Sequence, residues 1–535
     1  MKKIFSILLL ACSFTTTQAQ IVDRERPAEW ASLVRGGAYI DRFGTMPGND
    51  LRSDVWGCKD VLPRLVDNGI EVEGFSVWGG NILQLEDGQY HLFACGWPED
   101  SPKGHMFWGN STVFHATAPN KWGPFKIQQT IGKGHNPEAY RLEDGRIVIY
   151  TIDGYYINHV GRLDFWTFGK YNFDNRDRRV IEGLSNLTFC RRQDGSRLMV
   201  CRGGGIWVSR DGLTDPWHQL TYQRVYPDVD GRFEDPIVWR DSIQYHLIVN
   251  DWLGRLAWYE RSLDGVHWVV EPGEAYVPGI ARHADGTKEE WFKYERAKVF
   301  QDRYGRVEQM NFAVIDTLKD EDKPRDRHSS KNICISMNTG LLLSVLNTER
   351  VTTKTKKIRL LVKAEEGFDP ATDLDIKSLR FGSYKEVNFG RGAQVEKVEQ
   401  QGSDIILTFN GKMTGIDEEE FAPKLIGSRK DGSMVYGYTR LPGIKYTPAI
   451  LSALRPVLTD NGTKARIVVE NYGLTASEPT IIQLRKGDTI LGKADLPVLQ
   501  PYGKTEVIIS LSATLSGTDR LEVVAGDNTP YLIYK

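Results

Sequence analysis

The sequence is poor in cysteine, in net charge and in long apolar runs. Six cysteines in 535 residues are too few for a disulfide scaffold. Cys58, Cys95, Cys190, Cys201 and Cys334 follow the N-terminal segment without metal-type spacing. They read as buried free thiols, with Cys190 and Cys201, which flank one expected hairpin, as an alternative pair. A formal net charge of −2 leaves no electrostatic footprint for nucleic acid. No apolar stretch approaches the ~20 residues of a membrane helix, so no transmembrane segment is expected.

What the sequence does have is aromatic residues (14 Trp and 22 Tyr) and glycine (52), the texture of a β protein with many turns. At the N-terminus, Met1-Lys2-Lys3 precedes the short apolar run Ile4 to Ala11, and Thr17-Gln18-Ala19 ends on a small residue. Residues 1–19 therefore read as a signal peptide, giving a protein secreted across the inner membrane to the periplasm. Leu9-Leu10-Ala11-Cys12 offers the alternative of a lipid anchor on Cys12.

A weak repeat organises the chain beyond this segment. Each unit has a polar entry, an apolar strand, a turn containing aspartate and a second strand. The clearest copies are Asn81 to Ala94, His135 to Thr151 and Ser185 to Cys201; Glu234 to Asn250 and Glu295 to Ile315 diverge at the turn. Asp-Gly between alternating strands signals a hairpin, and a type I′ turn needs positive φ at both central residues. The turn aspartates Asp87, Asp144, Asp194, Asp241 and Asp302 lie 57, 50, 47 and 61 residues apart. That spacing holds about four short strands, one propeller blade.

The expected fold is thus all-β: a five-bladed β-propeller over residues 35–330, followed by C-terminal β-sandwich domains. Tryptophan stops at Trp291. Residues 333–450 read as a β-rich, sandwich-like domain, and 456–535, with about seven clean strands, as an immunoglobulin-like sandwich. These later domains read as support or spacing.

The first residues of each innermost strand should converge at one face of the ring. They are Trp78, Gly79, Gly80 and Asn81; His135 and Asn136; Ser185 and Asn186; Glu234 and Asp235; Glu295 and Arg296. Cleavage of a glycosidic bond uses two carboxyl groups, one protonated and one ionised. Glu234, Asp235 and Glu295 supply them, with Glu138 and Asp153 as the next candidates. Neighbouring side chains of a regular strand face opposite ways, so Glu234 and Asp235 are not expected to share the pocket. Singly, each acid also has a structural reading: Asp235 before Pro236 as a turn residue, Glu295-Arg296 as an ion pair. Trp78 and Trp97 are the expected sugar platforms, the other tryptophans packing residues; His105 and His115 read as structural.

The blade entries Phe233 to Asp241, Gly134 to Pro137 and Tyr294 to Arg296, with Tyr90 to Phe93 and Trp97-Pro98, resemble the five-bladed propeller glycosidases related to glycoside hydrolase families 43 and 117. The resemblance covers the propeller. It implies an exo-acting glycoside hydrolase taking a terminal sugar from a plant or algal glycan. Catalytic candidates are Glu234, Asp235 and Glu295, and substrate-binding candidates Trp78, Asn81, Trp97, His135, Asn136, Asn186 and Arg296. The family 43 general base is an aspartate at the first blade entry, where this chain has Trp78-Gly79-Gly80-Asn81. The acid/base pair has then moved to blades four and five, a histidine takes part, or hydrolysis is lost. A lyase acting on a uronate-containing glycan and a non-catalytic glycan-binding propeller are the alternatives. No motif calls for a cofactor; related propellers sometimes hold a structural calcium on the axis.

Overall fold

The structure, a computed structural model, describes residues 25–534 apart from 47–49, 54–55, 57, 175–183, 222, 253–254, 517–518 and 527. The expected signal peptide and Cys12 lie outside the described residues. The fold is mostly β, with a few helical turns. No helix among the described residues is long and apolar enough to cross a membrane.

Five antiparallel sheets follow one another along the chain, each a plain meander. Their first strands are β1 (Phe75–Gln84), β2 (Glu138–Arg141), β3 (Thr188–Arg191), β4 (Phe233–Arg240) and β5 (Lys293–Gln301). Successive first strands touch, the second and third through Glu138, and β5 returns to β1, so the sheets close a ring. The fifth sheet ends with the strand Ser330–Ser336, which carries the ring past the expected boundary at 330. Outside it, Ile70 and Asn332 exchange backbone hydrogen bonds of 3.0 Å. The chain before the first sheet thereby helps to seal the last.

The hairpin turns repeat closely, but not as type I′ turns. Positive φ belongs to Gly88, Gly145, Gly195 and Gly305, not to the aspartates. In the first hairpin Gly88 N–H bonds Leu85 O at 3.1 Å and Leu85 N–H bonds Gln89 O at 3.3 Å, a wider loop closed by a left-handed glycine. Each turn aspartate accepts a backbone N–H from two residues on: Asp87, Asp144 and Asp194 at 3.0 Å, Asp241 and Asp302 at 2.8 Å. This side-chain turn persists in the two divergent copies, which is why they hold the same shape.

A second repeated device lies at the entries. Gly79, Asn136, Asn186, Asp235 and Arg296 have φ of 61°, 54°, 48°, 52° and 48°, in the left-handed region that costs most L-residues energy. In β1, β4 and β5 the strand register slips at this point, as at a β-bulge. Two residues further on, Asn81, Glu138 and Thr188 tie their strand to the next. Asn81 donates to Ala139 O at 2.9 Å and accepts from Ala139 N–H at 2.7 Å. Glu138 accepts from Phe189 N–H at 3.1 Å, and Thr188 Oγ1 from Val238 N–H at 3.2 Å. Each such bond contributes about 1 kcal/mol.

Past the ring, two sheets (one of four strands, one of three) lie between Leu343 and Tyr438 and bury a core around Leu360, Leu407 and Leu425. Two four-stranded sheets between Leu451 and Tyr534 come next, and Ile467, Ile482 and Ile509 share a separate core. Cys95, Cys190, Cys201 and Cys334 are buried free thiols and Cys58 is half-buried. Cys190 sits opposite Leu198, three residues short of Cys201, so that register keeps the alternative pair apart.

Candidate active site

Residues from all five entries meet around one cavity of about 1250 Å³. Trp78, His135, Asn136, Ser185, Asn186, Glu234, Asp235, Glu295 and Arg296 all line it. The expectation that Glu234 and Asp235 face opposite ways is corrected: both line the cavity. Strand alternation fails there because Asp235 is left-handed and the register slips between Glu234 and Ile237. Asn and Asp tolerate this conformation. Arg296 does so less readily, and is held by its own bonds: Nη1 to Asp235 Oδ1 and Nη2 to Leu187 O, both 3.3 Å.

The three carboxyl groups have different surroundings. Glu295 is buried, which alone would raise its pKa. Lys319 and Lys293 outweigh that and pull it down to about 2. Lys293 Nζ lies 3.2 Å from Oε1, and Lys319 pairs with Oε2. Asp235 is raised, chiefly by burial, against the pull of Arg296. Glu234 is raised by burial and then by Asp235 and Glu295. Its side chain keeps 20% exposure, and Arg202, 3.6 Å away, is its ion-pair partner. Glu234 is therefore a raised carboxyl that keeps access to the cavity, and Glu295 the one held ionised.

His135 adds a neutral base. Burial, Arg296 and Lys319 keep its pKa well below the usual histidine value. Ser111 Oγ donates to Trp108 O at 2.6 Å, so its contact of 2.9 Å with His135 Nδ1 takes a proton from the ring. That assigns the hydrogen to Nδ1 and leaves Nε2 as the acceptor. Asn136 donates to Asn186 Oδ1 at 3.1 Å, while its own Oδ1 is buried without a partner.

Two expected binding residues do not line the cavity. Asn81 is one of the strand-joining positions. Trp97 is buried behind the site, its ring 5.0 Å from His105 and 5.7 Å from His135, because it sits on the second strand of the first sheet. Of the lesser candidates, Asp153 is a turn residue outside the lining. Glu138 pairs with Lys298 in a smaller cavity. His115 stacks on His91, whereas His105, read as structural, lines the large cavity.

The lining also contains residues that carry no signal in the sequence: Trp108, Trp252, Arg202, Arg232, Arg255, Lys293 and Lys319. Most lie on loops or later strands, where no repeated pattern marks them. Lys319 Nζ stands 4.6 Å over the Trp78 ring and Lys293 Nζ 4.3 Å over Trp252, so cations and aromatic faces alternate. Six Lys/Arg side chains line the cavity against Glu234, Asp235, Glu295 and Asp320, an excess of positive charge. As for an axial calcium, the first strands bring Asn81, Glu138, Ile237 and Lys298 together in the smaller cavity. Lys298 already supplies Glu138 with a cation there, so these residues do not fit a calcium.

No family model matches the chain, and no curated protein matches it. Among solved structures it is similar to a family 43 endo-arabinanase from Bacillus licheniformis, at 12% identity and TM-score 0.32, over 51% of this chain and 96% of that one. It is also similar to Zg3597, a family 117 glycoside hydrolase from Zobellia galactanivorans, at 11% identity and TM-score 0.34, over 50% and 85%. A fructofuranosidase from Schwanniomyces occidentalis matches at 11% identity and TM-score 0.34, over 91% and 100%. These neighbours are glycoside hydrolases. Likenesses of this size assign no residue a role.

Proposed function

We propose that the ring is a five-bladed propeller and the large cavity the active site of an exported glycoside hydrolase acting on an anionic glycan. One observation carries this reading: a carboxyl raised by burial (Glu234) and a carboxylate held ionised (Glu295) face the same cavity. In hydrolysis Glu234 donates its proton to the leaving oxygen, and Glu295 stabilises the positive charge developing at the anomeric carbon. Both oxygens of Glu295 are engaged by lysines, which makes it a weak base. His135 Nε2 is the group that takes the proton of the attacking water. The excess of Lys and Arg selects a uronate or a sulfated sugar, and Arg202, 45% exposed, offers a planar fork to such an anion. The exposed face of Trp108 suits a sugar ring, whereas the expected platform Trp78 is buried beneath Lys319.

A second reading, elimination by a polysaccharide lyase, is favoured by the same neutral His135 beside cations able to neutralise a uronate carboxylate. A panel of purified uronate-bearing and sulfated oligosaccharides, with chromatography of the products, tests both. Solvent oxygen at the new anomeric centre supports hydrolysis; ultraviolet absorbance from an unsaturated product supports the lyase. Tight binding without product leaves a glycan-binding propeller. Near-wild-type turnover in Glu234→Gln, Asp235→Asn and Glu295→Gln alike removes the carboxylate assignment.

A further inference from the structure

Beside the cavity, on the far side of His105, three carboxylates gather without a counter-charge. Glu99 follows the second strand of the first sheet. Asp322 and Asp326 lie in the loop that joins the last two strands of the fifth. One ligand oxygen from each lies within 4.8 Å of the others. Calcium–oxygen bonds of about 2.3–2.6 Å allow a single ion to reach oxygens that far apart. Glu99 and Asp322 are each 1% exposed.

The hydrogen bonds orient this set and leave part of it unused. Ser76 Oγ donates to Glu99 Oε2 at 2.7 Å, and His105 N–H to Asp322 Oδ2 at 3.1 Å. Asp326 accepts from Lys323 N–H at 2.8 Å and His328 N–H at 2.7 Å. The remaining oxygens, Glu99 Oε1 and Asp322 Oδ1, are buried and reached by no donor outside the cluster; Glu99 and Asp322 hydrogen-bond each other through a proton. The imidazole of His105, 1% exposed, has its Nδ1 unpartnered 4.0 Å from Asp322 Oδ2. Among the described residues no Lys or Arg pairs with the three; Arg325 turns instead to Asp100 at 3.1 Å. Burial, then the hydrogen bond and repulsion from Asp322, push Glu99 up to about 9; burial and Asp326 push Asp322 up to about 6 against the bond from Glu99, as expected of acids gathered without a cation.

We propose that Glu99, Asp322 and Asp326 form a divalent-cation site, suited to calcium by its all-oxygen carboxylate set, that fastens the Lys319 loop to the first sheet. Three carboxyl groups, two of them buried and reached by no donor outside the cluster, suit a hard cation, which on binding would displace the proton that Glu99 and Asp322 share. The loop runs from Asp316 to Ser329 and carries Lys319, the partner of Glu295, so the ion would fix one wall of the cavity without entering it.

The test uses the full chain, stripped with chelator and dialysed, then titrated with CaCl₂ by calorimetry and melted with and without the ion. A saturable heat at one site per chain, a Tm that climbs with calcium concentration, and slowed amide exchange over 316–329 are expected. Asp326 is only half-buried, so Asp326→Asn should fold; it should weaken calcium binding at least tenfold (about 1.4 kcal/mol) with the metal-free Tm unchanged. Glu99→Gln should do the same or more. Absence of saturable heat and of any Tm shift with Ca²⁺, Mg²⁺ or Mn²⁺ overturns the site, leaving a proton shared by Glu99 and Asp322. Full calcium affinity in both variants overturns it equally, placing the ion elsewhere.

Discussion

Two buried charge clusters make an instructive pair. One lines the cavity; the other lies where the fourth sheet meets the segment after the ring. In the latter, Glu271 pairs with Arg261, accepts from Tyr438 Oη at 3.0 Å and lies 3.7 Å from Lys424, which donates to Asn388 at 2.7 Å. Burial would raise Glu271, but Arg261, Lys424 and Arg42 pull it down to about 2. In the cavity, Glu295 is held the same way, while Glu234 is raised and Asn136 Oδ1 has no partner. Residue types and depth are alike. The difference is what they face: one carboxylate is enclosed among Arg261, Lys424 and Arg42, and the other cluster opens on a large cavity.

That contrast is tested most strongly at Glu234. Glu234→Gln should lower turnover by about 10²–10⁴-fold with Tm unchanged or raised. A fallen Tm with intact turnover would move Glu234 into the structural class. At the other cluster, Glu271→Gln should cost about 3–5 kcal/mol, because it strands Arg261 in the interior. Denaturant unfolding reads that loss, and turnover per folded molecule should hold.

The two clusters also answer pH in opposite senses. Glu271 is depressed, so its stabilisation is complete above the unfolded carboxyl pKa of about 4.3 and is lost as pH falls towards about 2. The loss approaches about 3 kcal/mol. Glu234 is raised and is the proposed acid, so activity should decline as pH rises through its pKa. A pH–rate profile whose alkaline limb is unchanged in Glu234→Gln would assign that limb to another group.

Smaller effects sharpen the boundary of the site. Asn81→Ala should lower stability by about 2 kcal/mol, from two lost bonds to Ala139, and leave KM alone. A raised KM would return Asn81 to the binding set. Lys319→Met should raise KM for an anionic oligosaccharide about tenfold, about 1.4 kcal/mol, while leaving a neutral one unaffected.

The hairpins were legible because an aspartate that bonds its own turn leaves a mark at fixed spacing. The entry dipeptides were legible for the same reason, counted back from those turns. Their backbone was not. Left-handed φ is suggested by Gly79 or Asn136 but not by Arg296, whose conformation depends on Asp235 across the neighbouring sheet. Treating the entries as regular strands therefore split Glu234 from Asp235 and put Asn81 in the cavity. Trp97 and Trp108 exchanged expected roles because ring orientation follows the strand and loop that carry it. Lys319 lies 24 residues from Glu295, on a loop without any repeated pattern.

The left-handed step at each entry has a practical consequence. A regular strand end would show the cavity one side chain per sheet; four of these show two, and in the first three sheets the position two further on helps to hold the ring together. The site is then spelled by Trp78 and four adjacent pairs: His135-Asn136, Ser185-Asn186, Glu234-Asp235 and Glu295-Arg296. A pair can be rewritten without disturbing the hairpin below it where its second member accepts the backbone twist, but Asn136 with Asn186, and Asp235 with Arg296, are bonded across sheets and change together. Such a ring is a keyboard of nine letters on a fixed frame, in which some keys move as one.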